Sequence, residues 1–169
     1  MGLNQPLLGD ITILAAGTGF FPFLDLLDLW FRWSAIKELE KRGIDATDEW
    51  PGTEDFSSFP SPKLKIQMIV CFRSIDEFIG AEFIERLASL QEGNFEMKIR
   101  VEDESFDKSK YDHLTGIKFF SERLDSTFFQ TKCATTSTRY IICGPPAFNN
   151  EIPTFLKEQG VVEDLLELL

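Results

Sequence analysis

Ile11-Thr12-Ile13-Leu14-Ala15-Ala16-Gly17-Thr18-Gly19-Phe20-Phe21-Pro22 is the stretch on which the fold turns. Ile11 to Ala15 is a short apolar run, Gly17-Thr18-Gly19 is a turn, and helix-compatible sequence follows from about Phe21 to Lys41, so the segment reads as strand, glycine turn, helix. Gly17 and Gly19 let the backbone turn sharply and approach a diphosphate, toward which the helix behind them directs its positive end and free N–H groups. Taken alone, a Gly-x-Gly after a strand is more often a plain tight turn. Pro22 stands where the ordinary dinucleotide fingerprint has its third glycine, which argues against the commonest dehydrogenase subtype.

Outward from that stretch, strand and helix signals alternate. Gly43 to Lys63 is acidic, carries Pro51, Gly52, Pro60 and Pro62, and reads as a loop or insertion, centred on residues 44–62. Leu64 to Phe72 is a second apolar run, and Ser74-Ile75-Asp76-Glu77 has the capping-box spacing of a helix that would run to about Gln91 and close at Gly93. Phe95, Met97, Ile99 and Val101 alternate with Glu96, Lys98, Arg100 and Glu102, the pattern of an edge strand with one polar face. Ile117, Phe120, Leu124 and Phe128 at helical spacing predict a third helix over Thr115 to Phe129. Tyr140 to Cys143 is an apolar strand ending in Gly144-Pro145-Pro146, whose prolines are expected to delay the next helix until after Phe148. Asn149 or Asn150 would cap that helix, Gly160 would close it, and Leu165 to Leu169 is a last strand.

Five strands alternating with four helices predict an α/β domain of three layers, αβα, around an open, mostly parallel five-stranded sheet. In such sheets the ligand lies beyond the carboxyl ends of the strands, where strand order reverses. That rule singles out Gly17-Thr18-Gly19, Cys71-Phe72-Arg73-Ser74 and Cys143-Gly144-Pro145-Pro146. Each has a plain alternative: a solvated or ion-paired arginine at Arg73, and a buried, inert cysteine in a stiff loop at Cys143.

Composition narrows the function classes. One hundred and sixty-nine residues, 43% hydrophobic and 27% charged, suit one globular domain with its own core. Seventeen Lys and Arg against 28 Asp and Glu give a net charge of -11, which repels nucleic-acid backbones and anionic headgroups, so neither nucleic acid nor membrane insertion is expected. The longest uncharged stretch, Ile11 to Leu24, is too short to cross a bilayer, and the first residues lack a secretory signal and a myristoylation pattern, with Pro6 where Ser or Thr would be wanted. Cys71, Cys133 and Cys143 have no metal spacing and His113 is the only histidine, which leaves neither a zinc cluster nor a hydrolytic triad, so no metal is expected. Asp25, Asp28 and Arg32 read as ion pairing rather than a catalytic carboxylate pair. The aromatic ring of Phe20, Phe21, Phe23, Trp30, Phe31 and Trp33 around the first helix reads as core packing, or as apolar surface for docking another domain.

Leu14-Ala15-Ala16-Gly17-Thr18-Gly19-Phe20-Phe21-Pro22-Phe23, together with Cys143-Gly144-Pro145-Pro146-Ala147-Phe148, resembles the pyridine-nucleotide domain of the ferredoxin reductase-like flavoenzymes. Within them it is most similar to the NADH-cytochrome b5 reductases and to the reductase module of the cytochrome b5/b5 reductase fusion proteins. Arg73-Ser74-Ile75-Asp76-Glu77 is similar to the family's second-strand exit, and His113-Leu114-Thr115 to the turn before its third helix. The similarity spans roughly residues 9 to 169. Departures are the acidic insertion, the bulk of Phe21 and Phe23, and a final Leu where the family has an aromatic.

The resemblance implies a Rossmann-like domain that binds NADH or NADPH and hands its hydride to FAD on a partner domain outside this chain, as part of a larger oxidoreductase. It implies that Gly17, Thr18 and Gly19 hold the pyrophosphate, that Pro22 shapes the helix start, and that Arg73, Ser74 and Asp76 flank the adenosine ribose. Cys143 then takes the catalytic position at the nicotinamide, with Gly144, Pro145 and Pro146 as its shelf and Phe148 near the nucleotide. NADH is the expected donor, since Asp76 and Glu77 oppose the 2′-phosphate that Arg73 would attract. A haem domain of cytochrome b5 type is the implied acceptor, and a cytoplasmic site, or the cytosolic face of an endomembrane through the parent protein, the implied location. The alternatives are the nucleotide half of a ferric reductase or NADPH oxidase-like enzyme, and a non-enzymatic nucleotide-binding or docking module.

Overall fold

Ile11 to Ala15 does form a strand, and its place in the sheet explains why it is so apolar. The computed structural model describes residues 9–45, 64–91, 93–114, 116–132 and 137–169. Strand β1 (Asp10–Ala16), buried at every position after Asp10, is followed by β2 (Lys65–Phe72), β3 (Phe95–Val101), β4 (Ile117–Phe120), β5 (Arg139–Cys143) and β6 (Leu166–Leu168). They form one sheet in the order β4-β3-β2-β1-β5-β6, with every pairing parallel.

Helices α1 (Pro22–Lys41) and α2 (Ala81–Leu90) cover one face, and α3 (Ser126–Lys132) and α4 (Pro146–Glu158) the other. Side chains alternate across a strand, so Ile13 and Ile141 join the first core with Leu27, Trp30, Ile84 and Leu87, while Leu14 and Ile142 join the second with Phe129, Ile152 and Leu156. Of the aromatics around the start of α1 and along it, Phe20, Phe23 and Trp30 are buried and Phe31 and Trp33 pack partly buried against the same cluster, whereas Phe21 is not core packing but 41% exposed. Asp28 and Arg32 form the expected i,i+4 ion pair at 2.8 Å.

Four expectations need correction. The sheet has six strands, because 117–129 is not one helix: Ile117 pairs with Met97 as strand β4, and α3 starts only after Asp125, whose carboxylate accepts the Phe128 N–H at 3.0 Å. Strand β3 is internal rather than an edge, and its polar alternation is met by charge pairing across strands. Gln67 Nε2 donates to Glu96 Oε2 at 2.9 Å, and Lys98 and Lys118 reach the same carboxylate at 3.2 and 2.5 Å. The capping spacing at Ser74 serves a 3-10 turn, Ile75–Glu77, and α2 begins at Ala81 behind Gly80, whose φ of +88° breaks the chain direction. Helix α4 begins at Pro146 rather than after Phe148, since proline is tolerated where the N–H groups of a first turn have no helical partner. Residues 46–62 of the acidic insertion, Thr115 and Cys133 lie outside the described residues.

The Glu96 cluster has a measurable acid signature. Burial works to raise the Glu96 pKa, but hydrogen bonds from Lys118 and Gln67 and the charge of Lys98 outweigh it and hold the carboxyl down at about 2, against an ordinary 4.5. A carboxyl depressed in the folded state contributes stability above its unfolded pKa, and loses it as pH falls toward the folded value. Thermal melts between pH 5 and about 2 should therefore show a loss of stability that is smaller in Glu96→Gln. Parallel pH profiles for the two proteins would refute the assignment.

Candidate functional site

Strand β1 lies between β2 and β5, so strand order reverses beside it and a crevice opens between the carboxyl ends of β1 and β5. Beyond β1, Gly17 takes φ +53° and the chain winds through a 3-10 turn, Gly17–Phe20, into α1. Beyond β5, Gly144 and Pro145 lead directly into α4. Neither helix has a side-chain cap and each opens on a proline; the Leu24 and Asn149 N–H groups bond Phe21 and Pro145, which leaves the N–H groups of Phe23, Ala147 and Phe148 without a helical partner.

The two turns touch. A Cβ on Gly19 would stand 2.2 Å from the Cys143 carbonyl oxygen, and one on Gly144 would meet the Phe148 ring at 2.8 Å and the Ala16 Cβ at 3.2 Å. Only glycine permits this approach at either position. Above the seam lies a cavity of about 630 Å³ that extends across the ends of β2 and β3.

Of the residues singled out from sequence, Gly17, Thr18, Arg73, Pro145 and Phe148 line this cavity, while Gly19, Cys143 and Gly144 form the seam. Pro22, Ser74, Asp76 and Pro146 do not contribute to the lining among the described residues. Ser74 instead accepts the Asp76 N–H at 3.3 Å. Glu77 does line the cavity, and its carboxylate accepts the Arg73 N–H at 3.2 Å. The Cys143 side chain packs against the first core, and burial raises its thiol pKa. Cys71, on the cavity wall, is pushed up to about 11 by burial despite the nearby Arg100. Both thiols are thus protonated near neutral pH, unsuited to attack as nucleophiles.

Sequence reading missed Arg100, Glu102, Arg123 and Glu151, which line the same cavity. Arg100 meets Glu102 at 2.5 Å. No local signal marks these residues, because only the strand order brings the ends of β3, the β4–α3 turn and α4 together. Among the described residues no cluster of three His, Cys, Asp or Glu could hold a metal ion, and no helix is long and apolar enough to cross a membrane.

Solved structures share this architecture. The cytochrome b5 reductase domain of Ulva prolifera nitrate reductase superposes with TM-score 0.61 at 13% identity, covering 96% of this chain and 49% of that one. The CS-b5R domains of human Ncb5or, in an NAD+ form, give 0.55 at 16% identity over 95% and 36%. Flavohemoglobin from Malassezia yamatoensis, with bound FAD and heme, gives 0.62 at 16% identity over 98% and 32%. The fold is the ferredoxin reductase-like one. The chain spans about half or less of the length of these structures. No family model matches the sequence, and no curated protein matches it.

In a ferredoxin reductase-like fold a nicotinamide nucleotide is the ligand to test against the crevice. The residues present fit one: a seam at Gly19 and Gly144 that a Cβ would block, two helix N-termini without side-chain caps, and arginines on the wall of a cavity within the size range of small-molecule sites.

Proposed function

We propose that this chain binds NADH or NADPH in the crevice between β1 and β5 and presents it to FAD held on a separate domain, as the nucleotide half of a cytochrome b5 reductase-like oxidoreductase. The observation that carries the proposal is the Gly19–Cys143 seam at the point of strand reversal, where a Cβ has no room. A reduced nicotinamide nucleotide supplies a hydride when bound.

This chain's residues bind and orient. Gly17, Thr18 and Gly19, with the start of α1, hold the diphosphate, and Arg73 contacts the adenosine half from the exit of β2. Gly144 and Pro145 fix the backbone of Cys143 against the first turn and set the depth to which a ring enters, so Cys143 positions rather than reacts. Glu77 stands on the cavity wall and opposes the dianion of a 2′-phosphate, which supports NADH as the preferred donor. A haem domain of cytochrome b5 type is the acceptor that this reading favours.

The purified chain should be colourless and lack diaphorase activity, and calorimetry should show weak NADH binding, because the flavin completes the nicotinamide pocket. Adding a separately produced flavin-binding barrel of a b5 reductase should restore NADH-dependent flavin reduction in stopped flow. A stoichiometric yellow flavin on the isolated chain, or no reduction in the mixture at saturating NADH, would overturn the proposal.

A further inference from the structure

Among the described residues, Arg32, Arg42, Arg100 and Arg139 each meet a carboxylate. Arg73, Arg86 and Arg123 do not, and two of these three, Arg73 and Arg123, line the cavity over the crevice. In a chain of net charge -11, this wall is balanced, with Arg73, Arg100 and Arg123 against Glu77, Glu102 and Glu151, and two of its arginines have no carboxylate partner. Arg123 is exposed in the turn between β4 and α3, where its carbonyl accepts the Asp125 N–H at 3.0 Å. Asp125 caps α3 and forms no ion pair with Arg123.

Strand β3 separates β2, which delivers Arg73, from β4, which delivers Arg123. Strands β2 and β4 are therefore roughly two strand spacings, about 10 Å, apart, and the arginines that follow them line one cavity. The guanidinium fork presents paired N–H donors that match phosphate oxygens. Of the carboxylates on the wall, Glu102 is paired with Arg100, while Glu77, which accepts the Arg73 N–H, and Glu151 of α4 stand in opposition.

We propose that Arg123 is a phosphate-binding residue of this cavity, acting with Arg73 on a nucleotide. The inference rests on the proposed function and adds a contact from the α3 side of the sheet. The phosphate could belong to the diphosphate bridge or to a ribose 2′-position, and the test separates them. Calorimetry with ADP and with adenosine 2′,5′-bisphosphate is to be run on the whole chain and on Arg123→Ala, with circular dichroism to verify folding, which an exposed turn residue should not disturb. A loss of about tenfold in affinity for both ligands assigns Arg123 to the diphosphate, and a loss confined to the bisphosphate assigns it to the 2′-phosphate. Arg123→Lys should recover part of the loss, and Arg86→Ala, on α2 away from the cavity, should bind as the parent does. Equal affinities in the parent and Arg123→Ala would overturn this inference alone, as would an equal loss in Arg86→Ala, which would mean bulk charge. Failure of the parent chain to bind either ligand would overturn both this inference and the proposed function.

Discussion

Gly19→Ala is expected to lower the melting temperature by about 6–12 °C and to abolish nucleotide binding. The added Cβ would lie 2.2 Å from the Cys143 oxygen, 2.6 Å from its carbonyl carbon and 2.9 Å from Gly144 Cα. All three are backbone atoms, so no side chain can swing aside, and the β1 and β5 turns must separate. Forced overpacking of this kind costs ~3 kcal/mol, and each kcal/mol shifts the midpoint by about 2–4 °C in a chain of this size. Binding suffers more than stability because the displaced atoms are the cradle itself. Gly17→Ala is the control: its Cβ meets nothing within 4 Å, and only the left-handed φ of +53° is penalised, at about 1–2 kcal/mol. Thermal melts and calorimetry on both variants decide the matter, and a Gly19→Ala protein melting within about 2 °C of the parent would remove the seam from the argument.

Trp30→Ala should cost ~3–5 kcal/mol, a large part of the ~5–15 kcal/mol that holds a domain folded. Trp30 is 1% exposed and meets Phe95 of β3 edge-on at 5.8 Å, so its removal leaves a cavity between α1 and the start of β3. Trp33, one turn on and only partly buried, should cost less when truncated. Denaturant unfolding of the two variants measures the ordering directly. Equal losses would mean that α1 is held by apolar area in general rather than by this contact.

The parts of the fold legible in sequence were those with strong local signals. Ile11 to Gly19 and Tyr140 to Pro146 each join an apolar run to residues of restricted or unusual backbone, and both strands are where they were expected, though the second turn is shorter than read because α4 starts at Pro146. The misread parts depend on partners distant in sequence. Strand β4 is four residues long, and Ile117 and Phe120, three apart, suit a single helix face; as a strand they point to opposite faces and into separate cores, which shows only once Met97 is known to lie beside Ile117. The polar side of β3 looks like an edge until Lys118 arrives from β4 to share Glu96. Local chemistry also misled where it was real but used differently, as at Ser74, whose cap closes a short turn rather than opening α2. The candidate site divides in the same way. Its glycine seam was visible in two motifs, whereas Arg100, Glu102, Arg123 and Glu151 become neighbours only through the order of the strands.

The position of β1 also dictates when the crevice can come into being during synthesis. This strand is made first, yet its β5 side stays unpaired until Arg139–Cys143 emerges; the buried hydroxyl contact across that boundary, Thr12 to Ser137 at 2.7 Å, joins residues 125 positions apart. From the synthesis of β1 until that of β5 the apolar floor of the crevice is an open strand edge, and the ribosome must deliver most of the described residues before it is covered. Such long-range parallel pairing is slow and leaves nascent chains prone to aggregate. The residues that build the crevice first are those that wait longest for their partner.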